Sequence, residues 1–129
     1  MTPAPLLVDT DVIIDYLRGR ADAVSYLEGT IVPMLISTIT VAELYSGVRD
    51  GQERVALDAF IAAFTLVVAD ENVAVKGGLY RRDYGKSHGV GLADALIAAT
   101  AEIHGATLVT LNRKHFPMLA SVVAPYVKS

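Results

Sequence analysis

The chain has 129 residues, 53% of them hydrophobic and 19% charged, with no Cys and no Trp. That length fits one domain that buries roughly two thirds of its unfolded surface, so disorder is excluded, as are disulfides and thiolate zinc sites. The net charge of −3, from 11 basic and 14 acidic residues, does not favour a nucleic-acid partner yet leaves room for a local basic patch.

In chain order, Leu6-Leu7-Val8 reads as a short buried strand ending at Asp9. Asp11 reads as the N-cap of a helix over 12–17 that closes at Gly19, and 22–28 forms a second helical piece. Pro33 precedes a strand at 34–37. Thr40 then opens a helix over 41–49, and a further amphipathic helix covers 53–64. A strand at 65–68 leads to Asp70 and a helix over 72–84, weakened by Gly77 and Gly78. A glycine-rich loop is expected at 85–91. The Ala-rich stretch 93–104 predicts a helix stopped by Gly105, followed by a strand at 107–110, a turn at 112–117 and an edge strand at 121–124. The charge-free stretch from Gly29 to Ala42 is too short for a membrane span and is broken by Pro33, and no basic residue precedes an apolar run at the start, so neither a membrane helix nor a secretory signal is expected. Strands alternate with helices and no hairpin signal occurs. The fold class expected is α/β: a three-layer α/β/α sandwich on a mostly parallel sheet of four or five strands, with residues 1–129 as a single domain.

In such sheets ligands bind beyond the carboxyl ends of the strands. The residues there are Asp9 and Asp11, then Ser37, Thr40 and Glu43, then Asp70, and finally Thr110 and Asn112, while Asp94 opens the long helix before the last of these strands. Each has a structural explanation. Asp11 suits an N-cap, Thr40 to Glu43 fits a capping box, Asp94 gains from the helix dipole, and Asn112 is an ordinary turn residue. Together, however, Asp9, Glu43 and Asp94 place carboxylates at separate junctions of one sheet edge. Crowded carboxylates call for a cation, and oxygen ligands without Cys point to Mg²⁺ or Mn²⁺ and phosphate chemistry.

Four segments carry a family resemblance: LLVDTDVIIDYLRG at 6–19, ISTITVAELYSGV at 36–48, GLADALIAATA at 91–101 and TLVTLNRKHF at 107–116. In this order they resemble the signature blocks of the PIN-domain ribonucleases, and within that superfamily the chain is similar to the VapC toxins of bacterial type II toxin–antitoxin modules. The resemblance implies a cytoplasmic, Mg²⁺-dependent endoribonuclease that cuts transfer or ribosomal RNA and inhibits translation. Asp9, Glu43 and Asp94 would then be metal-binding acids, with Asn112 in the fourth site position and Thr110 orienting water. Asp11 departs from the common pattern, where Asn or Ser is frequent; it either joins the metal site or caps the helix. The implied partners are a VapB-like antitoxin and a second copy of the chain, as a homodimer that becomes a heterotetramer or larger assembly. Partner surface would account for the apolar excess, with 12–17 and 41–48 contributing to it.

RNA beside an acidic site needs cations. Arg113 and Lys114 adjoin Asn112; Arg81, Arg82 and Lys86 are interleaved with Tyr80 and Tyr84; Arg18 ends the first helix. Tyr80 is better explained by packing, a solvated helix face accounts equally well for Arg81, Arg82 and Lys86, and His115-Phe116 reads as structural, with Phe116 buried and His115 bonding locally. Asp9-Thr10-Asp11 also resembles the opening of haloacid-dehalogenase-like phosphatases, with Asp9 as nucleophile, but that reading leaves Glu43 and Asn112 without a role. A PIN-like scaffold acting as a non-catalytic RNA or protein adaptor is the other alternative.

Overall fold

The computed structural model describes residues 3–128. Its five strands are β1 (Leu6–Val8), β2 (Met34–Ser37), β3 (Thr65–Val67), β4 (Thr107–Val109) and β5 (Val122–Val123). All pair in parallel, in the order β3-β2-β1-β4-β5. Six helices connect them: α1 (Thr10–Leu17), α2 (Ala21–Gly29), α3 (Thr38–Ser46), α4 (Gln52–Ala62), α5 (Glu71–His88) and α6 (Leu92–Ile103); a 3₁₀ turn follows at Arg113–His115.

Successive strand residues face opposite ways, and β1 uses both sides. Val8 joins Val12, Ile13, Ile36, Leu44 and Leu57 in one core. Leu7 joins Ile97, Ala98, Leu108 and Phe116 in the other. The expected three-layer α/β/α sandwich is therefore observed. From β1 the chain builds outward to β2 and β3, then crosses to place β4 on the opposite side of β1. This reversal between β1 and β4 creates the crevice in which α/β sheets bind ligands.

Several local expectations are corrected by distant partners. Asp9, not Asp11, caps α1: its Oδ1 accepts from the Thr10 N–H at 2.8 Å. Helix α3 begins at Thr38, capped by Ser37, whose Oγ accepts from the Ile39 N–H at 3.0 Å. Thr40 and Glu43 thus lie inside the helix and form no capping box. The expected loop at 85–91 is mostly helix, because α5 runs unbroken to His88 and ends at Gly89, which has φ 65°. Val12 and Ile13, expected to contribute partner surface, are completely buried.

Gly77 sits in the middle of α5 for a packing reason. A Cβ there would lie 2.6 Å from Leu96 Cδ2 and 3.1 Å from Leu96 Cα on α6, whereas one on Gly78 would meet nothing within 4 Å. Both substitutions with Ala raise helix propensity by up to about 1 kcal/mol. Only Gly77→Ala must also push two helices apart, at about 1–3 kcal/mol. Urea denaturation should show Gly78→Ala stabilised and Gly77→Ala destabilised.

Tyr126 and Lys128 are fastened to α1. Asp15, 3% exposed, accepts hydrogen bonds from the Tyr126 hydroxyl and from Lys128 Nζ, each at 2.8 Å, with Arg20 Nε 3.9 Å away. Burial alone would raise its carboxyl; the two hydrogen bonds and the charges of Lys128 and Arg20 outweigh it and hold Asp15 below the usual range.

Candidate active site

At the β1–β4 crevice, Asp9 leaves β1 and Thr110 follows β4. Asp9 is 6% exposed, and its Oδ2 accepts from Thr110 Oγ1 at 2.8 Å. Asp11, in the first turn of α1, reaches the same loop: its Oδ2 accepts from the Leu111 N–H at 3.0 Å. Its Oδ1 is buried without a hydrogen-bond partner. Thr110 in turn accepts from the Asn112 N–H at 3.1 Å, which fixes the turn leading to Asn112.

These positions strain the acids electrostatically. Burial, then the charge of Asp11, then that of Asp94 push the Asp9 carboxyl up to about 7, against the hydrogen bonds from Thr110 and Thr10 that lower it. Burial is also the main cause raising Asp11. No cationic side chain bonds Asp9 or Asp11 among the described residues.

Asp94 enters from the first turn of α6, where its Oδ2 lies 3.2 Å from His115 Nδ1. The same ring nitrogen is 2.7 Å from the Asn112 side-chain amide nitrogen. One ring nitrogen cannot both accept from an amide and donate to a carboxylate, so the trio has two alternative hydrogen arrangements. Phe116 is buried as expected. His115 bonds locally as expected, to Asn112 three residues away, and in addition reaches Asp94 on α6. Glu43 approaches from α3, with Oε1 accepting from Thr10 Oγ1 at 2.6 Å. The structure thus links Asp9, Thr110 and Asn112 through one hydroxyl, Asp11 to the same loop through the Leu111 N–H, and Glu43 to the start of α1, and it sets His115 Nδ1 between Asp94 and Asn112.

The donor set suits a hard cation. It comprises carboxylate oxygens only, one of them buried and unpaired, around an Asp whose ionisation is opposed by its surroundings. Among the described residues no three His, Asp or Glu side chains form a ready-made metal cage. Mg²⁺ does not require one, since it keeps several waters and takes one or two carboxylates together with substrate phosphate.

The candidate RNA-binding cations fall into three places. Arg113 and Lys114 are exposed on the 3₁₀ turn directly after Asn112. Arg81, Arg82 and Lys86 are exposed on the second half of α5, with Arg82 Nε donating to Asp83 at 2.8 Å. Tyr80 is tied by its hydroxyl to Glu102 and packs beside the second core, in keeping with its structural role. Arg18 borders a groove of about 480 Å³ between α1, α3 and α4, walled by Ile14, Leu17, Leu44, Val48 and Leu57 and reaching Glu43.

Residues 6–120 match the PIN domain family model. The chain belongs to the PIN-domain family. Its relatives include two proteins of Mycobacterium tuberculosis, ribonuclease VapC10 and ribonuclease VapC19, each 39% identical over 124 residues. The alignments cover 94% of this chain and 92% of VapC10, and 93% of this chain and 98% of VapC19. Among solved structures, a toxin–antitoxin complex from Klebsiella pneumoniae superposes with TM-score 0.82 at 29% identity, covering 95% of this chain and 99% of the other. FitAcB from Neisseria gonorrhoeae superposes with TM-score 0.74 at 31% identity, covering 93% and 97%. All four blocks that carried the resemblance lie inside the matched PIN domain. Membership in the family displaces the haloacid-dehalogenase-like alternative.

Proposed function

We propose that this PIN domain is a VapC-type endoribonuclease that uses Mg²⁺, or Mn²⁺ in its place, and serves as the toxin of a toxin–antitoxin module. The observation that carries the reading is the buried carboxyl of Asp9, set at the strand-order reversal beside a second acid, Asp11, with no cationic side chain bonded to either among the described residues. A site that resists its own negative charge is built for a cation. The sequence similarity to VapC10 and VapC19 supports RNA as the substrate.

Asp9, Asp94 and Glu43 would hold the cation, with Asp11 beside them. When bound, it supplies Lewis-acid activation of water and of a phosphodiester. Thr110 locks Asp9 in one rotamer by donating to Oδ2, and Asp11 fixes the start of α1 against the β4 loop through the Leu111 N–H. Glu43 acts as the proton acceptor, or orients water, from the α3 side. His115 holds Asp94 in place by donating from Nδ1, and Asn112 would orient water at the fourth site position. Arg113 and Lys114 pair with phosphates next to the cut, while Arg81, Arg82 and Lys86 on α5 and Arg18 at the end of α1 offer cations at two further places. The substrate is transfer or ribosomal RNA, and its cleavage stops translation in the cytoplasm.

The apolar groove is the proposed seat of a VapB-like antitoxin, since it opens from solvent and ends at Glu43. The solved relatives include toxin–antitoxin complexes, which supports such a partner. Val75 on α5 and Leu92 at the start of α6, 59% and 55% exposed, add apolar surface available to a second copy in a homodimer and in a heterotetramer or larger complex. Across the described residues no helix is long and apolar enough to cross a membrane.

Purified protein should cleave RNA with Mg²⁺ or Mn²⁺ and stop when EDTA is added. Sequencing the cut RNAs after induction in cells, with and without co-expression of the neighbouring upstream reading frame, identifies the substrate and tests for the antitoxin. Cleavage that persists in EDTA sinks the metal assignment.

A further inference from the structure

Thr10 stands between two site acids, and none of the roles above uses its side chain. Its Oγ1 lies 2.6 Å from Glu43 Oε1 and 3.3 Å from Thr40 Oγ1. Thr10 is the first residue of α1, whereas Thr40 and Glu43 are one turn apart on α3. The hydroxyl is therefore wedged between two side chains of another helix. A threonine hydroxyl has a single proton to donate. The Glu43 contact is a normal O–H···O bond and the Thr40 contact is beyond that range, so the proton belongs to Glu43.

Thr40 is fully buried, which makes the back of the wedge rigid. Among the described residues this is the one side-chain hydrogen bond that Glu43 makes, and it joins Glu43 to the helix that begins at Asp9. Asp9 and Asp11 are both bonded to the β4 loop. Glu43 comes from β2 through α3 and has no such tie. Without Thr10, its flexible side chain on the helix surface would be free to turn away from the other acids.

We propose that Thr10 is a positioning residue for Glu43. Its hydroxyl commits Oε1 and so leaves Oε2 as the oxygen presented to the cation and the RNA. The inference rests on the nuclease reading above and adds to it a residue that sets the geometry of the third acid. Serine keeps the required hydroxyl, whereas valine keeps the shape and loses it.

The test compares wild type, Thr10→Val and Thr10→Ser in three measurements: kcat and KM on an RNA substrate, Mn²⁺ affinity by calorimetry, and thermal stability in EDTA through a Thr10→Val/Glu43→Ala double-mutant cycle. The expected result is a kcat about 10–100-fold lower in Thr10→Val with KM for RNA unchanged, as is usual when a residue behind a metal ligand is removed. Mn²⁺ binding should weaken alongside, Thr10→Ser should restore both, and the cycle should be non-additive. Thr10→Ala takes the place of the valine variant if valine does not fold. Wild-type kcat and Mn²⁺ affinity in Thr10→Val would overturn the proposal. So would a serine variant as impaired as valine, or an additive cycle. A wild-type chain that neither binds Mn²⁺ nor cuts RNA overturns the nuclease reading itself, and this inference with it.

Discussion

Asp9→Asn should abolish RNA cleavage, by about 100-fold or more, and at the same time make the metal-free protein more stable at pH 8. The two effects have one origin. Asp9 is buried beside Asp11 and Asp94, and the energy opposing its ionisation is stored in the fold until a cation relieves it. Asparagine removes the charge while its one carbonyl oxygen keeps the bond from the Thr10 N–H and its amide donates to Thr110 Oγ1, whose own proton turns away, so the fold relaxes while the site loses its ligand. Asp94→Asn should cost comparable activity with a smaller gain in stability, because Asp94 is the weakest of the influences raising Asp9. Steady-state cleavage assays and urea denaturation on the same preparations check both halves. An Asp9→Asn protein that cuts RNA at the wild-type rate would remove Asp9 from the chemistry.

The second large effect is on stability against pH. The folded Asp9 carboxyl titrates at about 7, against about 3.9 for an unfolded Asp. Between those values the folded state binds more protons than the unfolded state, so stability falls as pH rises through the window and is flat above it. Its full size is up to about 4 kcal/mol. Asp11, also raised, acts in the same direction. Asp15, held below its usual range, acts oppositely, and its contribution is lost as pH falls below about 4. Metal-free protein should therefore be most stable near pH 4–5 and weaker at pH 8. Mg²⁺ or Mn²⁺ should restore stability mainly at the alkaline end, and Asp9→Asn should flatten the slope. Urea midpoints at pH 5 and pH 8, in EDTA and in Mg²⁺, measure this directly; an unchanged midpoint across that range in EDTA would contradict the strained Asp9.

What the sequence made legible was whatever local pattern controls. Apolar runs bounded by Asp9, Ser37, Asp70 and Thr110 located the strands, and the rule that ligands sit at strand ends selected Asp9, Glu43, Asp94 and Asn112. What stayed hidden depends on partners far along the chain. Asp11 looks like a cap by its neighbours, but its hydrogen bond goes to Leu111. Gly77 looks like a helix breaker until Leu96 is placed against it. His115 carries no signal of Asp94, and Asp15 none of Tyr126 and Lys128. Thr40 and Glu43 match a capping box by spacing alone, and Ser37 takes the cap because the strand ends there.

The pairing of β1 with β4 has a consequence for synthesis. β1 is made first, yet one of its two neighbours is made near the end of the chain, and Asp9 waits for a hydroxyl 101 residues downstream. Chains emerge from the ribosome N-terminus first. A product cut short before β4 carries Asp9, Glu43 and Asp94 but has neither Thr110 to hold Asp9, nor the Leu111 N–H to hold Asp11, nor His115 to hold Asp94. Glu43 can meet the start of α1 early, but Asp9, Asp11 and Asp94 gain their ties only once the chain has been made through His115, so messages interrupted before β4 yield fragments without them.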